Sequence, residues 1–166
     1  MPEEKLPTNN QPQEEEIGEA SVGSKTKCKT PHFLLTSEIF NHNVHNCLVD
    51  SRASINVMPL SACMKINGQC KPSSWKVIQL DRTNAKVIGE MEDVLIRLSS
   101  NEKVCQFIDV VVVDISEAYG LFLSRDWSAK LNGYFASDWS HMWLPYKRSP
   151  NQIKVLREPH MKHNVT

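Results

Sequence analysis

Carboxylates, thiols and imidazoles are the side chains best suited to bond-making chemistry, and here one carboxylate stands out. It lies in Leu48-Val49-Asp50-Ser51-Arg52-Ala53-Ser54, where an apolar run delivers Asp50 into a tight polar turn. Such a carboxylate does acid–base work when a second one lies beside it. Two like charges about 3 Å apart cannot both ionise, so the pair shares a proton. One member then takes a proton from water while the other gives one to a carbonyl oxygen. The chain holds a single strand–Asp–Ser turn of this kind, so the partner carboxylate is expected from a second copy of the chain across a two-fold axis. The plainer reading makes Asp50 a turn or N-cap residue and Ser51 an ordinary capping serine.

Other chemistry-bearing residues carry less. His42, His45 and Cys47 are close in sequence, but on a strand only 45 and 47 share a face, and four metal ligands are not at hand. No metal is expected. The five cysteines, Cys28, Cys47, Cys63, Cys70 and Cys105, are odd in number and include no Cys-x-x-Cys pair. They read as reduced thiols in an intracellular setting. Asp109 and Asp114 read as strand-end solubilisers, and Glu90, Glu92 and Asp93 as an exposed charged face. Trp139 and Trp143 read as packing residues, since a base-stacking platform calls for surrounding basic charge. His160 and His163 read as solvated.

The elements that must position Asp50 are mostly strands. Residues 33–40 and 44–49 are expected to form a hairpin about the turn-like Asn41-His42-Asn43. Residues 55–66 hold either a short helix or a strand. Residues 75–80, 85–88, 94–98 and 104–113 are further strands, with Gly89 as punctuation. The last is β-branched almost throughout, as an interior strand tends to be. Residues 121–123 are a short apolar run. Residues 124–131 have helical spacing, with Trp127 and Leu131 on one face and Asn132-Gly133 as the stop signal. Residues 139–146 and 152–155 suggest a last hairpin. Many short strands, frequent turns and one clear helix indicate an all-β, barrel-like domain.

Composition narrows the function classes. The 166 residues carry 19 Lys+Arg against 19 Asp+Glu, a formal net charge of zero. That balance argues against a general nucleic-acid binder and against a polybasic membrane anchor. The longest apolar stretch, residues 107–115, is broken by Asp109 and Asp114, so no membrane span is expected. Residues 1–31 are acidic and polar and read as a disordered linker, as if cut from a longer chain, with no secretory signal. The domain is expected over residues 32–158, with a polar tail at 159–166.

The turn at Asp50 resembles the Asp-Ser/Thr-Gly-Ala-Ser catalytic turn of retropepsins, the dimeric aspartic proteases of retroviruses and retrotransposons. The likeness continues in order. Residues 77–98, with a polar turn at Asp81, Arg82, Thr83 and Asn84, resemble the flap hairpin that closes over substrate. Leu121-Phe122-Leu123-Ser124-Arg125-Asp126 resembles the second signature of the family, apolar residues followed by Gly, Arg and a helix. Residues 115–120 and 138–146 resemble the protease region of plant gypsy-type LTR retrotransposon polyproteins.

The resemblance implies a retropepsin-like closed β-barrel with one short C-terminal helix, working as a homodimer. It implies Asp50 as the catalytic residue, with Ser51, Ala53 and Ser54 supporting its turn and Ser51 linking the two turns across the dimer axis. It implies Leu123, Ser124, Arg125 and Asp126 as a structural signature, with Arg125 a brace near the dimer interface. Arg125-Asp126 also reads as a surface ion pair at a helix start. No cofactor, nucleic acid or membrane is implied. The partners are a second copy and a polyprotein or peptide substrate, in the cytoplasm or a retroelement particle. Two positions depart from the pattern. Arg52 and Ser124 stand where the family has glycine. Arg52 is expected to set a cation beside the catalytic pair and to crowd the cleft. The alternative function is therefore a protease-like domain that binds peptides without cleaving them, or a decayed retroelement copy.

Overall fold

The computed structural model describes residues 33–50, 52–79, 82–115, 118–131 and 163–166, together with the backbone of strand segments 17–19, 134–135, 141–146 and 149–154. In chain order the elements are β1 (Ile17–Glu19), β2 (Leu34–Ile39), β3 (His42–Val49), β4 (Asn56–Pro59), α1 (Leu60–Lys65), β5 (Lys76–Ile78), β6 (Asn84–Leu98), β7 (Asn101–Asp114), β8 (Leu121–Leu123), α2 (Arg125–Lys130), β9 (Tyr134–Phe135), β10 (His141–Tyr146) and β11 (Ser149–Lys154). Strands β6, β2, β3, β8, β4 and β7 are hydrogen-bonded in that order, and β7 pairs back onto β6, which closes a six-stranded barrel. β5 extends the sheet outward from β6, and β1 lies parallel to β5. β9, β10 and β11 form a separate three-stranded sheet.

The end of β3, the end of β7 and β8 are apolar on both faces for a structural reason. Val110 and Val112 of β7 enter one core cluster, and Val111 and Val113 enter another. Cys47 and Val49 against Leu48, and Leu121 and Leu123 against Phe122, divide in the same way. A strand between two apolar layers reads as a continuous run instead of an alternating one. The first cluster is closed by Ala62, Cys63 and Ile66 at α1 and by Trp127 of α2, which is 1% exposed. The second holds Ala53 and Ile55 from the Asp50 turn together with Val77 and Ala85 from the base of the β5–β6 hairpin.

Several sequence expectations are sharpened by the pairing. The β2–β3 hairpin turns on Phe40-Asn41, at φ 49° and 63°, two left-handed residues as in a type I′ turn. Residues 55–66 hold both a strand and a helix, so α2 is the second helix among the described residues. Gly89 does not end a strand: β6 runs through it, with register shifts at Val87/Gly89 and Met91/Val94. A Cβ at Gly89 would lie 2.6 Å from the Lys71 carbonyl oxygen, so glycine admits the segment that bridges to Glu90. Glu92 and Asp93 are exposed, but Glu90 is half-buried, accepting from the Ser73 hydroxyl at 3.2 Å. Asp109 is an exposed mid-strand residue that accepts the Asp93 N–H at 3.0 Å. Asn164 and Thr166 run beside β3, with His45 N–H on the Asn164 carbonyl at 2.7 Å and Thr166 N–H on the Asn43 carbonyl at 3.0 Å. Asn132, Gly133, Trp139 and His160 lie outside the described residues.

Candidate active site

Asp50 follows directly on β3 and begins the connection to β4. Between those two strands lies β8, parallel to β3 and antiparallel to β4. The short turn carrying Asp50 must therefore step over the end of β8. This topology joins segments far apart in sequence, residues 48–54 and 121–126.

Backbone hydrogen bonds lock the two together. Asp50 N–H donates to the Leu123 carbonyl at 2.8 Å, and Arg125 N–H donates to the Ala53 carbonyl at 3.1 Å. Within the turn, Ala53 N–H closes onto the Asp50 carbonyl at 3.2 Å, and Arg52 N–H donates to Asp50 Oδ1 at 2.9 Å. The second contact is an Asx turn, which fixes the carboxylate relative to its own backbone. Asp50 is 8% exposed, so its carboxylate sits at the margin of the buried region. Ala53 is fully buried and Ser54 is exposed. Ser51 lies outside the described residues.

The β8–α2 junction is built around two polar side chains. Ser124, 0% exposed, caps α2 by accepting the Asp126 N–H on its hydroxyl at 3.2 Å. The serine that replaces the expected glycine thus has a structural role. Ser124 N–H donates to Asn56 Oδ1 at 2.8 Å, and Asn56 Nδ2 donates to the Asp109 carbonyl at 3.0 Å. Asn56 thereby ties β4, β7 and the start of α2 behind the Asp50 turn. Sequence reasoning missed it, because one polar residue opening a short apolar strand shows no partner. Leu123 is fully buried in the barrel core, whereas the Arg125 and Asp126 side chains are exposed.

Arg52 occupies the turn as its sequence position requires. Its side chain is exposed, and its backbone amide donates to Asp50 Oδ1. The hairpin expected as a flap is present as β5 and the first residues of β6. Its tip is closed by Arg82 N–H on the Gln79 carbonyl and Gln79 N–H on the Thr83 carbonyl, each at 2.9 Å. Arg82 takes φ 66°, and Arg82, Thr83 and Asn84 are all exposed. Asp81 lies outside the described residues. The base of this hairpin shares the second apolar cluster with Ala53 of the Asp50 turn.

No protein-family model matches the sequence, and no curated protein is significantly similar to it. Among solved structures, the chain is similar to the retroviral protease-like domain of Ddi1 from Leishmania major. The TM-score is 0.60 at 12% identity, over 80% of this chain and 100% of that one. At that identity the likeness is one of fold.

Proposed function

From a retropepsin-like fold with one carboxylate at the β3–β4 turn, we propose that this chain is half of an aspartic endopeptidase. Two copies bring their Asp50 side chains together around one water. One carboxylate takes a proton from that water, which attacks the carbonyl of an extended peptide. The other gives its proton to the carbonyl oxygen. The observation that carries this reading is the clamp of Asp50 and Ala53 onto Leu123 and Arg125 by backbone hydrogen bonds. It holds a carboxylate rigidly at the edge of the barrel, as preorganised acid–base catalysis requires. The β5–β6 hairpin would cover substrate from above. The source we propose is the protease region of a plant gypsy-type retrotransposon polyprotein, acting on that polyprotein inside the cell.

Arg52 favours a second reading, in which dimer and groove persist but cleavage is lost. An exposed arginine two residues from Asp50, where the family has glycine, sets a long side chain at the mouth of the groove and the dyad axis, where it crowds substrate. Incubation with an unstructured polyprotein substrate at mildly acidic pH separates the two. Cleavage by the native chain, inhibited by pepstatin and abolished by Asp50→Asn, supports the endopeptidase. Cleavage that appears only with Arg52→Gly supports the silenced form. Cleavage unchanged by Asp50→Asn overturns the assignment of Asp50.

A further inference from the structure

We propose that Cys63 and Cys70 form a reversible intramolecular disulfide by exchange with a small-molecule disulfide such as glutathione disulfide. Cys70 meets the oxidant and Cys63 closes the bond. The inference is independent of whether Asp50 cleaves anything.

The pair is seven residues apart and lacks the spacing of a redox motif, yet the two sulfurs are 3.7 Å from each other. The end of α1 brings them together. Gly68 N–H donates to the Cys63 carbonyl at 2.9 Å and Asn67 N–H to the Met64 carbonyl at 3.1 Å, with Asn67 at φ 56°. This is a Schellman motif, which reverses the chain at a helix end. It returns residues 69 and 70 over the last turn of α1.

Two glycines hold the arrangement. A Cβ at Gly68 would lie 2.7 Å from both Cys63 Sγ and Met91 Sδ, so glycine is what leaves room for the Cys63 sulfur. A Cβ at Gly89 would lie 2.9 Å from Cys70 Cβ, so the second cysteine is pressed onto β6. Backbone hydrogen bonds of 2.9 Å in both directions between Lys71 and Glu90 fix that contact. A bonded pair of sulfurs sits at about 2.05 Å, so closure needs only a small side-chain movement.

The two thiols differ in access. Cys63 is 2% exposed and Cys70 is exposed. In the first step the Cys70 thiolate attacks one sulfur of glutathione disulfide, and glutathione thiolate leaves. In the second, Cys63 gives up its proton to solvent and attacks the Cys70 sulfur. The Cys63–Cys70 bond forms, the Cys70–glutathione bond breaks and a second glutathione leaves. Two protein thiols are oxidised while one glutathione disulfide is reduced to two glutathiones. Burial, with the neighbouring Cys70, pushes the Cys63 thiol up to about 12, so the second step is the slow one near neutrality. Oxidation would tie the end of α1 to the segment bound to β6. It would also stiffen the wall formed by Ile66, Asn67 and Gln69 on a groove of about 440 Å³ facing Met91 and Val94.

The test is exposure of the folded full chain to glutathione disulfide, followed by peptide mapping by mass spectrometry. The expected product is a linked 63–70 peptide that has lost two hydrogens, while exposed Cys105 keeps its glutathione. With Cys63→Ser or Cys63→Ala, glutathione should remain on Cys70. With Cys70→Ser, Cys63 should stay unmodified. Glutathione release from Cys70 should quicken about tenfold per pH unit. Stable glutathione on Cys70 of the unmutated chain, with no linked peptide, would overturn the proposal. So would equal labelling of Cys63 when Cys70 is absent.

Discussion

Replacing Asn56 by alanine removes a bridge that serves two backbone groups at once, one of them fully buried. The Ser124 N–H, on a fully buried residue, loses its 2.8 Å acceptor. The Asp109 carbonyl loses its 3.0 Å donor. A buried group left without a partner costs about 1–3 kcal/mol, and a carbonyl tolerates the loss better than an N–H. A total near 3 kcal/mol is therefore expected for Asn56→Ala. With a urea slope of about 2 kcal/mol/M, the unfolding midpoint should fall by about 1.5 M at unchanged slope. Asn56→Asp retains the acceptor for Ser124 but sets a carboxylate against the Asp109 carbonyl, so it should also destabilise the fold. Urea titration followed by tryptophan fluorescence, to which buried Trp127 contributes, reads both variants. A loss below about 0.5 kcal/mol for Asn56→Ala would show that water or a backbone shift satisfies these groups equally well. The role given to Asn56 behind the Asp50 turn would then be wrong.

Other substitutions probe separate parts of the fold. Phe40→Gly relieves a bulky residue held at φ 49° and should raise stability by about 1 kcal/mol in the same titration. Gly120→Ala should cost about 2 kcal/mol, because its Cβ would lie 2.5 Å from the His45 carbonyl oxygen at the approach to β8. Burial pushes the Cys47 thiol up to about 12, above its unfolded value. Its contribution to stability is therefore full below about pH 8.5 and is lost as pH rises toward 12. Cys47→Ala should be less stable near neutrality, and its gap to the unmutated chain should narrow by up to about 1.4 kcal/mol per pH unit above that point. A gap independent of pH would mean that Cys47 ionises as readily folded as unfolded.

The sequence announced some of these features and hid others for physical reasons. The β-branched run Val110-Val111-Val112-Val113 announced an interior strand, because burial on both faces leaves a continuous apolar signature. The β2–β3 hairpin was legible from its polar turn, but its centre was not, since Phe40 is an unusual left-handed residue. The unbroken course of β6 through Gly89 was hidden, because register shifts are decided by the partner strand. Helix α2 was legible from its spacing, whereas the capping role of Ser124 depends on where the Asp126 amide points. Asp50 stood out as a candidate from the residues around it. Its contact with residues 123–125 was not legible, because insertion of β8 between β3 and β4 is a property of topology. Arg52 was expected beside the carboxylate, and the structure adds that its amide holds Asp50 Oδ1 while its side chain is exposed. The approach of Cys63 to Cys70 required a helix cap that leaves only Asn67-Gly68 as its trace.

The claim on which the functional proposal rests is that one Asp50 is insufficient and two are shared. Mixing the Arg52→Gly chain with the same chain also carrying Asp50→Asn, at fixed total concentration and after subunit exchange, tests it directly. Peptide cleavage should follow the square of the fraction of chains that retain Asp50, since only dimers with both carboxylates turn over. A linear dependence on that fraction, or no cleavage by the Arg52→Gly chain at any concentration, would contradict a shared site.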